Sequence, residues 1–188
     1  MIRTSSAPVL ALLLMAASSG AAAEVEHPAY KSWSRYPVGT TITVRSVTES
    51  PNSKLTTTTT YKLLELKPDM AVLETRVVSD ATGRVVENRP ERLEQQRMFP
   101  LFPGVKPEDI GKPRNASVKG EEALPVLGRE LKTVWYETKD KTEAGENFTR
   151  TWLCDEVPGR LTRAVTRIPQ ASTTVTLELV RFDVPGKK

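Results

Sequence analysis

The stretch that most constrains the fold is Phe148 to Ile168, FTRTWLCDEVPGRLTRAVTRI. Phe148, Trp152 and Cys154 stand two or four residues apart, the spacing of one face of a β-strand. Asp155 to Gly159 interrupts that alternation and Leu161 resumes it, so the segment predicts two strands joined at a corner. Pro158 fixes its own φ and Gly159 accepts a positive φ at little cost, which suits the centre of a type II turn.

The same alternation runs through much of the chain. Thr40 to Val47 places Ile42 and Val44 on one face, Pro51-Asn52-Ser53 turns, and Lys54 to Leu66 returns. Five consecutive threonines, Thr56 to Thr60, suit a pleated surface because β-branched side chains are stiff at χ1. This strand is expected to be exposed. Met70 to Val78 is the next strand, Asp80 to Gly83 its turn, and Arg84 to Glu87 begins another. Residues 122–139 predict a hairpin about Leu127-Gly128-Arg129. In the last strand, Thr173 to Phe182, Val175, Leu177 and Leu179 share a side, but Val180 and Phe182 take the other phase. That slip predicts a bulge, as a curved sheet needs.

Two pieces break the pattern. Residues 27–39 predict a short helix, with Pro28 in its first turn, Tyr30 and Trp33 three apart, and Pro37 and Gly39 as stops. Residues 88–116 hold five of the 14 prolines, and proline is poorly tolerated inside a sheet. Within them, Pro90 to Met98 reads either as a turn or two of helix or as an edge strand. Met98, Phe99, Leu101 and Phe102 give the segment an apolar tip, consistent with a loop or a lid over the sheet.

The expected fold is mainly β: a single curved antiparallel sheet, a meander or half-barrel of eight to ten strands, with a short N-terminal helix. Residues 1–23 have the order of a signal peptide: Arg3, the apolar run Val9 to Ala16, and Ala21-Ala22-Ala23 before Glu24. Cleavage there leaves 188 − 23 = 165 residues, read as one β-rich domain with residues 183–188 as a tail. The apolar run is shorter than the ~20 residues of a spanning helix, so no transmembrane segment is expected after cleavage. The predicted location is exported, periplasmic or extracellular, and the expected state is a monomer.

Chemistry is sparse. With His27 the only histidine and Cys154 the only cysteine, neither a usual zinc shell nor an internal disulfide can be built. Cys154, in an apolar strand beside Trp152, reads as a buried, inert thiol. His27, four residues past the expected cleavage point, reads as mobile or lightly packed. Glu121-Glu122 and Asp155-Glu156 are the only acidic doublets beside strands, and adjacent strand residues point to opposite faces, so they read as solvated turn carboxylates. No catalytic residue, metal ligand or cofactor site is assigned. The net charge of +4 comes from interspersed Lys, Arg, Asp and Glu with no basic stripe, and no nucleic-acid partner is expected. Arg163 and Arg167 share a face and are expected to pair across strands.

Three motifs carry a resemblance: Trp33 followed by Gly39 to Val44, the Gly120-Glu121-Glu122 hairpin reaching Lys139, and Trp152 with Val157-Pro158-Gly159. In these the chain resembles a group of uncharacterised exported bacterial β-sheet proteins. More remotely it is similar to the periplasmic lipoprotein-carrier fold, a curved antiparallel sheet with helices closing an apolar concavity, though only one helix is visible here. The signal-like N-terminus, the curved-sheet pattern and the apolar tip at Met98 to Phe102 point to a non-enzymatic exported protein that binds an apolar ligand or lipid or acts as an accessory of the cell envelope. Two alternatives stand beside it. One is a structural module pairing with an envelope protein through the strand Leu55 to Tyr61. The other, least favoured, is a carboxylate-based hydrolase.

Overall fold

The computed structural model describes residues 23–143 and 145–186. The predicted signal segment, residues 1–23, therefore lies outside the described residues except for Ala23, as do Lys187 and Lys188. In chain order the elements are β1 (Glu24–Glu26), α1 (Pro28–Trp33), β2 (Thr41–Ser50), β3 (Ser53–Leu66), β4 (Met70–Ala81) and β5 (Arg84–Glu87). There follow β6 (Glu91–Gln96), β7 (Met98–Pro100), β8 (Ala116–Val126), β9 (Arg129–Thr142), β10 (Gly145–Leu153), β11 (Leu161–Ile168) and β12 (Thr173–Asp183).

One antiparallel sheet of ten strands runs β5-β4-β3-β2-β12-β11-β10-β9-β8, with β6 pairing β4 beside β5. It is curved and its two edges do not meet. Sequence neighbours pair as hairpins except at one place, where the last strand β12 enters between β2 and β11. The turns follow their residues. Thr82-Gly83 and Leu127-Gly128 both have positive φ at each position, as two-residue hairpin loops of type I′ require. At the Pro-Gly corner Gly159 has φ +73° and the Arg160 amide donates to the Val157 carbonyl at 2.8 Å, the signature of a type II turn. The bulge anticipated in β12 lies between Leu179 and Arg181, and it returns Phe182 to the face of Leu179. Further register shifts at Leu63/Glu65 and Trp152/Leu153 help bend the sheet.

α1 begins at Pro28 with His27 as N-cap, whose Nδ1 accepts the Ala29 amide at 3.1 Å. Tyr30 and Trp33 are buried and meet Ile42, Val44, Leu63, Leu73 and Leu179 of the sheet. Val157 and Cys154 of the corner belong to the same core, which continues to Leu124, Val126 and Leu131 at the β8–β9 tip. Gly159 bonds the helix directly, its amide donating to Ser32 Oγ at 2.8 Å.

Two expectations change, for the threonine strand and for His27, and one open alternative is decided. The threonine strand is not an exposed edge: β3 lies between β2 and β4, and Leu55 to Tyr61 are paired on both sides. Its backbone groups are spent, so it cannot add a partner's strand, and that reading is withdrawn. Pro90 to Met98 forms edge strand rather than helix, because β4 extends past β5 and offers Met70 to Thr75 as a free partner for Glu91–Gln96. His27 is anchored, its amide donating to the Arg97 carbonyl and its ring meeting Phe99 edge-on at 5.8 Å. Phe148 shares the face of Trp152, as its spacing predicts, but is 42% exposed and lies beneath Lys139.

Candidate functional site: a charge-free sheet face and its cleft

Directly paired residues of neighbouring strands point the same way, so the register sorts the sheet into two faces. One carries Arg45, Glu49, Lys54, Lys62, Glu74, Arg76, Glu137, Arg150, Arg163, Arg167 and Glu178. Several are joined: Arg163 to Glu178 at 3.5 Å, Arg45 to the same carboxylate at 3.9 Å, and Arg150 to Glu137. Arg150 also stacks 4.4 Å from the Trp135 ring, and Trp152 donates to Glu122 at 2.7 Å. The predicted pairing thus holds for Arg163. Arg167 makes no ion pair among the described residues.

The other face carries no charge from β4 to β10; its charges are Glu130, Lys132 and Asp140 toward the two ends of β9, and Lys119 and Glu121 on β8. Two rows cross it. One runs Tyr136, Thr151, Ala164, Leu177, Ser46, Thr57 and Ser79; the next runs Thr138, Thr149, Thr166, Val175, Thr48, Leu55 and Ala81. Its hydroxyls are small and partly satisfy one another, Thr149 with Thr166 at 2.9 Å and Thr57 with Ser79 at 3.3 Å. Methyl groups and aliphatic side chains supply the rest of the surface. Tyr61 stands on this face near Ile42, and burial raises its phenol above the usual range. Most of these residues are half-buried.

Two elements cover parts of this face. α1 closes the end at Ile42 and Leu73. The segment 101–115 lies over Tyr136 at the other side, leaving an open cleft of about 740 Å³. Phe102, Val105 and Ile110 wall it from the segment, Phe99 from β7, and Val118, Lys119 and Tyr136 from the sheet. This volume is that of ordinary ligand sites. A smaller cleft of about 330 Å³ on the far side of Ile110 has charged walls: Glu26, Lys31, Arg35, Glu108, Asp155 and Arg160. Tyr136 borders both.

The segment is lightly tied. Leu101 at its start donates to the Ala23 carbonyl at 2.8 Å, and further along its amides bond within it, Val105 to Phe102, Asp109 to Lys106 and Lys112 to Asp109. Its far end is linked to the body by Arg160, whose Nη1 donates to the Gly111 carbonyl at 3.2 Å while Nε holds Asp155 at 2.7 Å. Gly111 is pressed so close to Pro28 that an added Cβ would stand 2.8 Å from the proline ring.

No nucleophile is poised here. Cys154 is 3% exposed and burial pushes its thiol up, away from reactivity. Glu121 and Glu122 point to opposite faces, and Asp155 is engaged by Arg160. Among the described residues no group of three His, Cys, Asp or Glu could hold a metal ion, and no helix is long and apolar enough to cross a membrane.

No protein-family model matches the chain, and no curated protein matches it in sequence. Among solved structures it is similar to a protein of Bacteroides fragilis described as exported, with a YmcC-like fold: TM-score 0.47, 11% identity, covering 79% of this chain and 97% of that one. It is also similar to the Mycobacterium tuberculosis lipoprotein LppX, at TM-score 0.38 and 7% identity over 85% and 93% of the two chains. A Vibrio parahaemolyticus domain described as outer-membrane lipoprotein-sorting gives 0.25 and 10% over 86% and 92%. At these TM-scores the likenesses say nothing about ligand or role.

The alternation of Ile42 and Val44 marked the core face of β2, but the cleft was not marked. One available signal was the phase of the charges: Arg45 and Glu49, Glu74 and Arg76, Arg163 and Arg167 each keep one parity, with only Thr, Ser, Ala and aliphatic residues between. The docking of 101–115 on Tyr136 left no such trace.

Proposed function

We propose that this is an exported, non-enzymatic protein of the cell envelope that holds an apolar or amphiphilic molecule, a lipid chain above all, against the charge-free face. One observation carries this reading. A broad sheet surface with no charged side chain from β4 to β10 opens beneath the 101–115 segment into a cleft whose walls are largely aromatic and aliphatic. Burying a chain there removes apolar surface from water at about 25 cal/mol per Å², and few polar groups have to be stripped of water in exchange. The scattered hydroxyls accept each other and leave methyl groups to face the ligand.

Protein produced with its own N-terminus and purified from the envelope fraction should carry a lipid in native mass spectrometry. A bare polypeptide in every charge state, with no saturable binding of a fluorescent fatty acid, contradicts the reading.

A further inference from the structure

We propose that the ligand of the 740 Å³ cleft is an amphiphile with an acidic headgroup, its chain on the charge-free face and its head between Arg114 and Lys119. This rests on the apolar-ligand reading above and names the chemistry at the other end of that ligand. The cleft changes character along its length. Phe99, Phe102, Val105, Ile110 and Tyr136 make its walls apolar, whereas Arg114 and Lys119 are exposed cations on its lining.

Of the carboxylates nearby, two are engaged and one, Glu121, is not. Asp109, the one acid lining the cleft, is held by Lys112 at 3.1 Å. Glu137 is held by Arg150 on the opposite face of the sheet. Glu121, two residues along β8 on the same side as Lys119, makes no ion pair among the described residues, and neither do Arg114 and Lys119. His27, also on the lining, is kept toward its neutral form by burial and by Arg160, so it adds apolar wall rather than charge. The cleft therefore offers two unengaged cations beside an oily wall. A carboxylate or phosphate on an alkyl chain matches both halves; a zwitterionic or neutral head leaves the cations uncompensated.

The test displaces a fluorescent fatty acid from the chain beginning at Glu24 with oleate, dodecyl phosphate and the neutral monoolein. Oleate or dodecyl phosphate should compete better than monoolein, and the margin should shrink with added salt. Reversing both cations, Arg114→Glu with Lys119→Glu, should weaken the acidic ligands about five- to tenfold, the scale of two exposed charge contacts, and leave monoolein unchanged. Whether oleate or dodecyl phosphate leads separates a carboxylate from a phosphate head. Equal competition by all three, or no effect of the reversal on the acidic ligands, overturns the headgroup assignment while the apolar site stands. If none of the three competes and the probe itself does not saturate, both readings fall.

Discussion

Replacing Gly111 by alanine should free the 101–115 segment without unfolding the sheet. Gly111 has φ +76°, a conformation that costs an L-residue roughly 1–2 kcal/mol. The new Cβ would also stand 2.8 Å from Pro28 Cγ and 3.1 Å from both Pro28 Cβ and Arg160 Nη1. Pro28 sits in the first turn of α1 and cannot withdraw, so the segment must lift and the Arg160 bond to the Gly111 carbonyl is lost. Strain and contact together come to about 2–3 kcal/mol, or roughly 30- to 140-fold in a local opening equilibrium. Hydrogen exchange reads this directly: the amides of Asp109, Ile110 and Lys112 should exchange faster by that factor, and those of β9 and β10 should not change. Gly104→Ala is the control, since Gly104 has φ +82° but open space around its Cβ position. It should show the strain alone, about tenfold. Trypsin gives a second readout after Arg114, because Lys106 and Lys112 both precede proline. Identical exchange in the two variants would refute the claim that the segment is docked through Gly111.

Gly120→Ala should destabilise the whole sheet, because its Cβ would fall 2.5 Å from Trp135 Cζ2 and push the ring from its stack under Arg150. Overpacking of this kind costs about 1–3 kcal/mol, a drop of about 1 M in the urea midpoint, and an unmoved midpoint would contradict the packing described. Acid should also loosen α1. Burial, with the Arg160 charge, holds the His27 imidazole below its ordinary pKa of 6.5, and its neutral Nδ1 caps the helix. The unfolded chain then takes the proton first, so this stability is full above the ordinary value and is lost as pH falls below it. The thermal midpoint should fall between pH 7 and pH 5. Glu65 and Glu146, whose carboxyls lysine hydrogen bonds hold below the ordinary 4.5, act only at lower pH. His27→Asn keeps a capping oxygen and should flatten the slope; an unchanged slope assigns it elsewhere.

Much of the fold is legible from residue order alone, because the cues are local. Pro158-Gly159, Pro28, and the phase slip at Val180 each report a backbone event within a few residues, and each is found where its cue stands. What escapes is non-local. Whether Thr56 to Thr60 form an edge or an interior strand depends on which strands arrive beside them, and identical side chains on both faces say nothing about either. The strand at Glu91–Gln96 exists because β5 leaves half of β4 unpaired, a fact of strand lengths rather than of its own residues. The cleft depends on 101–115 folding back onto Tyr136, held by Arg160 from 49 residues away.

The central claim is that function resides on one face of the sheet, and adjacent threonines test it. Thr57 lies on the charge-free face opposite Ser46 and Ser79; Thr58 lies on the charged face opposite Arg45 and Val78. Titrating the chain from Glu24 with a fluorescent fatty acid should give saturable binding that Thr57→Glu weakens by tenfold or more, about 1.4 kcal/mol, and Thr58→Glu leaves intact. Equal affinities for both variants, or no saturation in the unsubstituted protein, would contradict the account.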